Sequence, residues 1–373
     1  MEKKVRIGVI GCGGMGRGHV VAIMNGTGNA VWNGTNEPFD SNMTTDISKL
    51  MEVAGIYDIK KEKREWAEER GIHVYADYED MLSDKSLDAV LIATPNHLHK
   101  EEAIQAMKAG KHVLCEKPVV LSSKELEEVM KVSQETGCIF YPRQNREWDE
   151  DFLIVKKIYD EKILGNVFNF KCRIMGSRGI PGDWRAKKEC GGGMMMDWGV
   201  HIIDRMLAMI PEKVTKVFCS CTHITNKECD DGFQLHLTFE SGITCNLEVG
   251  TCHFVDEPLW LVYADEGSAV INSWEIDGKM IRLKSWEDRD AMPILAGAGL
   301  TKTMAPRRGS ESVEELPLPR FDFDRNTLYK NFAEVCQGTA DQIVTQKHAL
   351  RVLKLMEAAL KSDATGEVIH FEV

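Results

Sequence analysis

Three residues at helical spacing, Asp197, His201 and Asp204, carry the clearest acid–base chemistry in this sequence. Offsets of four and three put all of them on one face of an α-helix. An imidazole with a carboxylate one turn away on either side is oriented and tuned near neutral pH, which is what a general base needs. The competing reading is a polar stripe that solvates itself. The flanking Met194-Met195-Met196 and Ile202-Ile203 argue for a buried helix instead, and a buried polar face has partners or a task. A second reactive group, Lys117, stands before Pro118 where an apolar strand ends. It reads either as a surface lysine in a turn or as a cation held over a reacting centre. Trp184, Arg185, Arg146 and Tyr141 could line a polar pocket or pack structurally.

The elements that would position these groups begin at the N-terminus. Val5–Ile10 is a short apolar strand that runs into G-x-G-x-x-G at Gly11, Gly13 and Gly16, and a helix follows from about Met15 to Met24. This order makes a pyrophosphate site from backbone: a tight turn, an unobstructed approach and a helix N-terminus facing the anion. A second strand, Leu50 to Tyr57, ends at Asp58. An acidic residue there accepts from a ribose 2′-hydroxyl and repels a 2′-phosphate, which argues for NAD over NADP. Lys60, Lys61 and Arg64 lie close by. Between helix and strand, residues 25–47 are rich in Gly, Asn and Thr and read as a long inserted loop, assigned to surface or subunit contact.

Strands at His73–Tyr75, Leu87–Ile92, Lys111–Cys115 and Cys138–Tyr141, separated by helices, complete a six-stranded parallel sheet covered on both faces. Its working edge is the carboxyl ends of the strands. From about residue 150 the texture changes. A helix precedes Gly165, and strands at 167–175, 214–222, 233–240, 243–251, 260–263, 269–274 and 280–283 form an antiparallel sheet with a Ser241-Gly242 hairpin. One helix, Met195–Met209, is inserted. Residues 285–320 read as irregular. Two amphipathic segments, Tyr329–Cys336 and Gln346–Leu360, return between the domains. The boundaries drawn are 1–145 for a dinucleotide-binding Rossmann domain and 146–373 for a substrate and oligomerisation domain of α+β type.

Composition narrows the partners. The 373 residues carry a formal net charge of −12 with no basic stripe, which argues against nucleic acid. No apolar run reaches the ~18 residues that span a bilayer, and Met-Glu-Lys-Lys leads straight into a strand. Eleven scattered cysteines suit free thiols in a reducing cytosol, and no metal site is expected from their spacing.

Val9–Gly16, Ala93-Thr94-Pro95-Asn96-His97-Leu98-His99, Glu116-Lys117-Pro118 and Asp197-Trp198-Gly199-Val200-His201-Ile202-Ile203-Asp204 together resemble the Gfo/Idh/MocA oxidoreductases. The likeness covers nearly the whole chain, including a closing strand at Ser362–Gly366. It implies a Rossmann domain, an open sheet that serves homo-oligomers, and hydride transfer between NAD and a secondary hydroxyl of a sugar, polyol or glycoside. Oxidation at C3 of a glucoside is one such case. Carried over, Lys117 positions or activates substrate, His201 is the acid–base and Asp197 its relay partner. The cofactor would touch Gly11, Cys12, Gly13, Gly14, Met15, Gly16, Asp58, Ile59, Thr94, Pro95, Asn96, His99, Glu116, Lys117 and Asn145. Substrate would touch Arg146, Trp184, Arg185 and His201. Some relatives use the cofactor for redox-assisted glycoside cleavage, some are silent nucleotide-dependent binding proteins, and some reduce biliverdin-like or dihydrodiol substrates.

Overall fold

The computed structural model describes residues 3–26, 45–285, 293–301, 309–324 and 326–371. Most of the inserted loop, residues 27–44, lies outside them. Its far end is tied down: Asn326 Nδ2 donates to the Thr45 carbonyl at 2.7 Å, and Thr45 Oγ1 donates to Asp324.

The first sheet contains β1 (Val5–Ile10), β2 (Met51–Tyr57), β3 (Ala89–Ile92), β4 (His112–Cys115) and β5 (Phe140–Pro142). All its pairings are parallel, in the order β2-β1-β3-β4-β5. Helices α1 (Gly14–Asn25), α2 (Lys61–Glu68), α3 (Tyr78–Ser83), α4 (His99–Lys108) and α5 (Ser123–Thr136) make the crossovers. The sheet has five strands, not six. His73–Tyr75 makes a single bridge, Val74 to Ile56, through Ile56 N to the His73 carbonyl at 2.9 Å and Tyr75 N to the Ile56 carbonyl at 3.0 Å.

The second lobe starts with α6 (Glu150–Asp160). Its sheet comprises β6 (Val167–Met175), β7 (Val214–Thr222), β8 (Gly232–Phe239), β9 (Thr244–Gly250), β10 (Trp260–Ala264), β11 (Gly267–Ile271) and β12 (Gly278–Leu283). A separate hairpin, β13 (Ile294–Ala296) and β14 (Gly299–Thr301), precedes β15 (Val313–Leu316), which joins the large sheet beside β12. So the described part of 285–320 is not irregular throughout. The short β15, Val-Glu-Glu-Leu, shows no alternation, which hides it in the sequence. With the last strand, β16 (Ile369–His370), the nine strands run in the order β15-β12-β11-β10-β6-β9-β8-β7-β16, antiparallel except for β6 with β9.

Period-two alternation sorts the large sheet's faces. Phe233, Leu235, Leu237 and Phe239 of β8 and Cys245, Leu247 and Val249 of β9 are buried. They share one core with α6, α7 (Val200–Met209) and α9 (Gln346–Thr365). The opposite face shows Gln234, His236, Asn246 and Glu248. Before α7 comes a π-helical turn, Met195–Gly199, so the inserted helix is not uniform.

Helix α8 (Thr327–Cys336) belongs to the first lobe. Its Leu328, Tyr329, Phe332 and Ala333 pack with Val5, Val9, Leu114 and Tyr141. Helix α9 packs against α5, α7 and β7, between the lobes. The closing strand is β16 (Ile369–His370), not Ser362–Gly366. Ser362 lies in the last turn of α9, and Gly366, at φ +69°, caps that helix in the left-handed conformation.

Candidate active site

The carboxyl ends of the parallel strands build a nucleotide cradle. Gly11 has φ +85°, and a Cβ there would lie 2.6 Å from the Ala93 carbonyl oxygen. At Gly16 it would lie 1.8 Å from the Gly11 carbonyl oxygen. These two contacts press turn, helix and β3 together, whereas Gly13 and Gly14 face open space with nothing within 4 Å. No side chain caps the start of α1 at Gly13, so its first-turn amides are available to an anion. Cys12 N donates to Asp58 Oδ2 at 2.7 Å, which brings the acid at the end of β2 against the glycine turn. Lys60 N donates to Asp58 Oδ1 at 2.8 Å. Arg64 Nη1 donates to the carbonyls of Asp58 and Ile59, both at 2.9 Å. Met15 and Ile59 are exposed beside this cradle. The Cys12 thiol is pushed up to about 11 by burial and is inert. An open glycine turn, a free helix end and an acid at the ribose position fit a dinucleotide.

Several of the expected cofactor contacts are structural ties. His99 is fully buried, with Nδ1 2.9 Å from the Pro118 carbonyl oxygen and Nε2 2.9 Å from that of Thr94. It locks two strand-end loops together. Thr94 Oγ1 donates to Glu102 Oε2 at 2.6 Å, and burial pushes Glu102 up to about 7. Glu116 is buried beneath the cradle. Its carboxylate meets His19 Nε2 at 2.8 Å and Arg143 Nη1 at 2.9 Å, and His19 in turn meets the Tyr329 hydroxyl. Burial raises the Glu116 carboxyl, but Arg143 and His19 outweigh it and leave it far below the usual range. Pro95 precedes a short helical turn, and the Asn96 amide on that turn donates to the Gly191 carbonyl at 2.9 Å, joining the lobes. The contact is close: a Cβ on Gly191 would sit 2.2 Å from Leu121. Asn145 is half-buried at the start of the turn that holds Arg146.

Lys117 and the π turn meet across the cleft. Lys117 Nζ donates to Asp197 Oδ1 at 2.7 Å and to the Asp197 carbonyl at 2.8 Å. Arg185 Nε donates to the other carboxylate oxygen at 3.2 Å. Burial raises the Asp197 carboxyl, but Lys117 and Arg185 more than offset this and keep it ionised. One turn on, His201 is 4% exposed, and its Nδ1 has no hydrogen-bond partner among the described residues. Burial, then the charges of Lys117, Arg146, Arg205 and Arg143, hold its pKa well below the ordinary histidine value. It is a neutral imidazole surrounded by fixed cations.

The expected carboxylate–histidine–carboxylate stripe does not form. Asp197 is committed to Lys117 and Arg185. Asp204 turns away, fully buried, to His348 Nε2 at 2.8 Å. The π turn puts Asp197 out of the 3.6-residue phase of α7, while Asp204, within α7, is taken up by His348. Glu147 lies beside this second pair, and burial together with Asp204 pushes it up to about 8.

The wall beside His201 is aromatic and cationic. The Trp198 ring lies 5.7 Å from the His201 ring and 6.2 Å from Trp274. Arg146 sits 4.5 Å over Trp198 and 5.5 Å over Trp274. Trp184 stacks under Arg185 at 4.5 Å, on the Asp197 side. Arg205 is 1% exposed and donates to Asp151 Oδ2 at 3.0 Å and Asp149 Oδ2 at 2.7 Å. It anchors the floor.

A profile described as an oxidoreductase family with an NAD-binding Rossmann fold matches residues 5–144, and one for the GFO/IDH/MocA C-terminal domain matches residues 152–270. The chain belongs to the Gfo/Idh/MocA oxidoreductases. It is 27% identical over 339 residues to the scyllo-inositol 2-dehydrogenase (NADP(+)) IolW of Bacillus subtilis, covering 87% of this chain and 91% of that one. It is 30% identical over 209 residues to the 2,7-anhydro-N-acetylneuraminate hydratase of Escherichia coli, covering 54% and 55%. Among solved structures, an NAD-binding protein from Listeria innocua superposes with a TM-score of 0.83 at 38% identity, covering 99% of this chain and 97% of that one. No described helix of this Gfo/Idh/MocA chain is long and apolar enough to cross a membrane.

Trp198, Trp274, Arg143 and Arg205 were not among the site residues expected from the sequence. Trp198 lies inside a quoted motif and could have been found there. Trp274 reads as the end of a strand, and nothing local separates it from a packing residue.

Proposed function

We propose that this chain transfers a hydride between NAD and a secondary hydroxyl of a sugar, polyol or glycoside. The observation that carries the reading is the Lys117–Asp197 pair, drawn from two lobes, standing one helical turn from a buried neutral histidine. NAD held through its pyrophosphate at the glycine cradle would supply the hydride acceptor. The protein's own part is acid–base and positional. His201, being uncharged, takes the hydroxyl proton as the carbon–oxygen bond becomes a carbonyl. Lys117, fixed by two bonds to Asp197, orients the hydroxyl and stabilises negative charge on its oxygen. Asp197 acts by holding Lys117 in place.

NAD is favoured by Asp58, whose carboxylate occupies the ribose position. The NADP(+) in the B. subtilis relative's name and the nearby Arg64 make this the point to test first. Homo-oligomers form through the open face of the large sheet, where Phe168 and Tyr263 stack at 6.5 Å and Phe168 is exposed. All eleven cysteines are free thiols, which suits the cytoplasm.

The test is a screen of cyclitols, monosaccharides and glycosides with NAD and, separately, NADP, read by reduced-cofactor absorbance. Reduction of NAD by one of these alcohols, lost in His201→Ala, is the expected result. Product release without net reduced cofactor would instead assign redox-assisted cleavage. Turnover that survives His201→Ala would remove the assignment.

A further inference from the structure

Trp274 is 48% exposed, an unusual exposure for a tryptophan next to a cleft, and it is presented by a stiff loop. The β11–β12 connection is cross-braced by Asp277. Its side chain accepts from Asn272 Nδ2 at 3.0 Å and from the Ser273 hydroxyl, and its carbonyl accepts from Asn272 N at 2.7 Å. Two residues beyond the tryptophan, Ile276 has φ +61°. A β-branched residue in the left-handed region is strained and persists only where surrounding structure enforces it, often at functional sites.

The ring presented this way continues the wall that starts at the base. His201, Trp198 and Trp274 follow one another at centroid spacings of 5.7 and 6.2 Å. Arg146 bridges the two indoles. Trp198 is thus placed for the ring whose hydroxyl is oxidised, and Trp274 lies about one further ring away. The guanidinium groups of Arg146 and Arg205 approach Trp274 at 5.5 and 6.0 Å, while half of its surface is left open. A half-open indole flanked by guanidinium groups suits a second ring, with apolar area for its face.

We infer that Trp274, with Arg146, forms an outer subsite for a second ring, so that the preferred substrates are glycosides with a cyclic aglycone and not single-ring cyclitols or sugars. The inference rests on the oxidoreductase reading above and narrows its substrate class.

The experiment compares kcat/KM of the full-length protein for methyl and phenyl glucosides of both anomers, cellobiose and scyllo-inositol, in the wild type, Trp274→Ala and Trp274→Phe. In the wild type the two-ring substrates exceed their methyl counterparts by about tenfold or more. Trp274→Ala brings this ratio close to one, chiefly through KM, and Trp274→Phe restores most of it. A purely structural role for Trp274 would depress both classes together and leave the ratio as it was, which overturns the inference. So does a wild-type ratio near one. Failure to oxidise any member of the panel would reject the oxidoreductase reading itself, and the subsite with it.

Discussion

Lys117 Nζ is held 2.7 Å from Asp197 Oδ1 and 2.8 Å from the Asp197 main-chain oxygen, so one side chain of the first lobe is fastened to the second lobe at two points. The lysine therefore enters the cleft with its position set before substrate arrives, a condition for efficient electrostatic stabilisation.

Removing the anchor should leave the lysine in place but loose. Asp197→Asn keeps the shape and removes the charge. The expected outcome is a fall in kcat of about 10²-fold, the size typical of losing one preorganised contact, with the Kd for NAD unchanged. Stopped-flow turnover and fluorescence titration of the cofactor measure the two. An unchanged kcat would separate Asp197 from the chemistry.

His201→Ala should lower kcat by about 10² to 10⁴, the usual worth of a positioned base. Thermal melting must accompany this measurement, because the ring is buried and its loss leaves a cavity. His201→Gln, closer in volume, should retain more stability but no more activity.

The low pKa of His201 gives a sign to the pH profile. A base must be unprotonated, and burial and the neighbouring cations hold this imidazole neutral to well below its ordinary value. The acid limb of kcat/KM should therefore fall clearly below about pH 6.5, the unperturbed histidine value. Lys117→Met removes one of those cations, so in its residual activity the limb should move upward.

Cofactor choice should turn on Asp58. Asp58→Ser removes the carboxylate that would repel a 2′-phosphate. The ratio of NADP to NAD affinity is expected to rise about tenfold or more, read by titration of both cofactors. A constant ratio would mean that this carboxylate matters only for holding the Cys12 and Lys60 amides.

The floor of the site is a stability element. Asp151 accepts from Arg205 Nη1 at 3.0 Å and from Trp260 Nε1 at 2.8 Å, all of them buried. Arg205→Met would strand a buried carboxylate and should cost about 3–5 kcal/mol, measured by denaturant unfolding.

The sequence carried the first lobe well because glycine spacing and continuous apolar strands are local signals. It also carried the convergence of Lys117 with the Asp197 helix, through motifs that lie 80 positions apart. It failed where geometry depends on phase or on distant chain. The π turn at Met195–Gly199 has no distinct composition, so the spacing of Asp197, His201 and Asp204 suggested a stripe that the fold separates. His348, the actual partner of Asp204, lies on α9, far along the chain. Glu116 and His99 carry the polarity of ligand-binding residues, and only three-dimensional burial reveals them as internal ties.

Helix α8 has a consequence for how this molecule comes into being. The nucleotide lobe is not one contiguous stretch: Leu328, Tyr329 and Phe332 seal its sheet, and Tyr329 reaches His19 near the start of the chain. A nascent polypeptide leaving the ribosome can complete this lobe only after nearly all of the other lobe has emerged. The early strands thus wait with an uncovered apolar face, and the two halves mature together, late in synthesis, as one assembly.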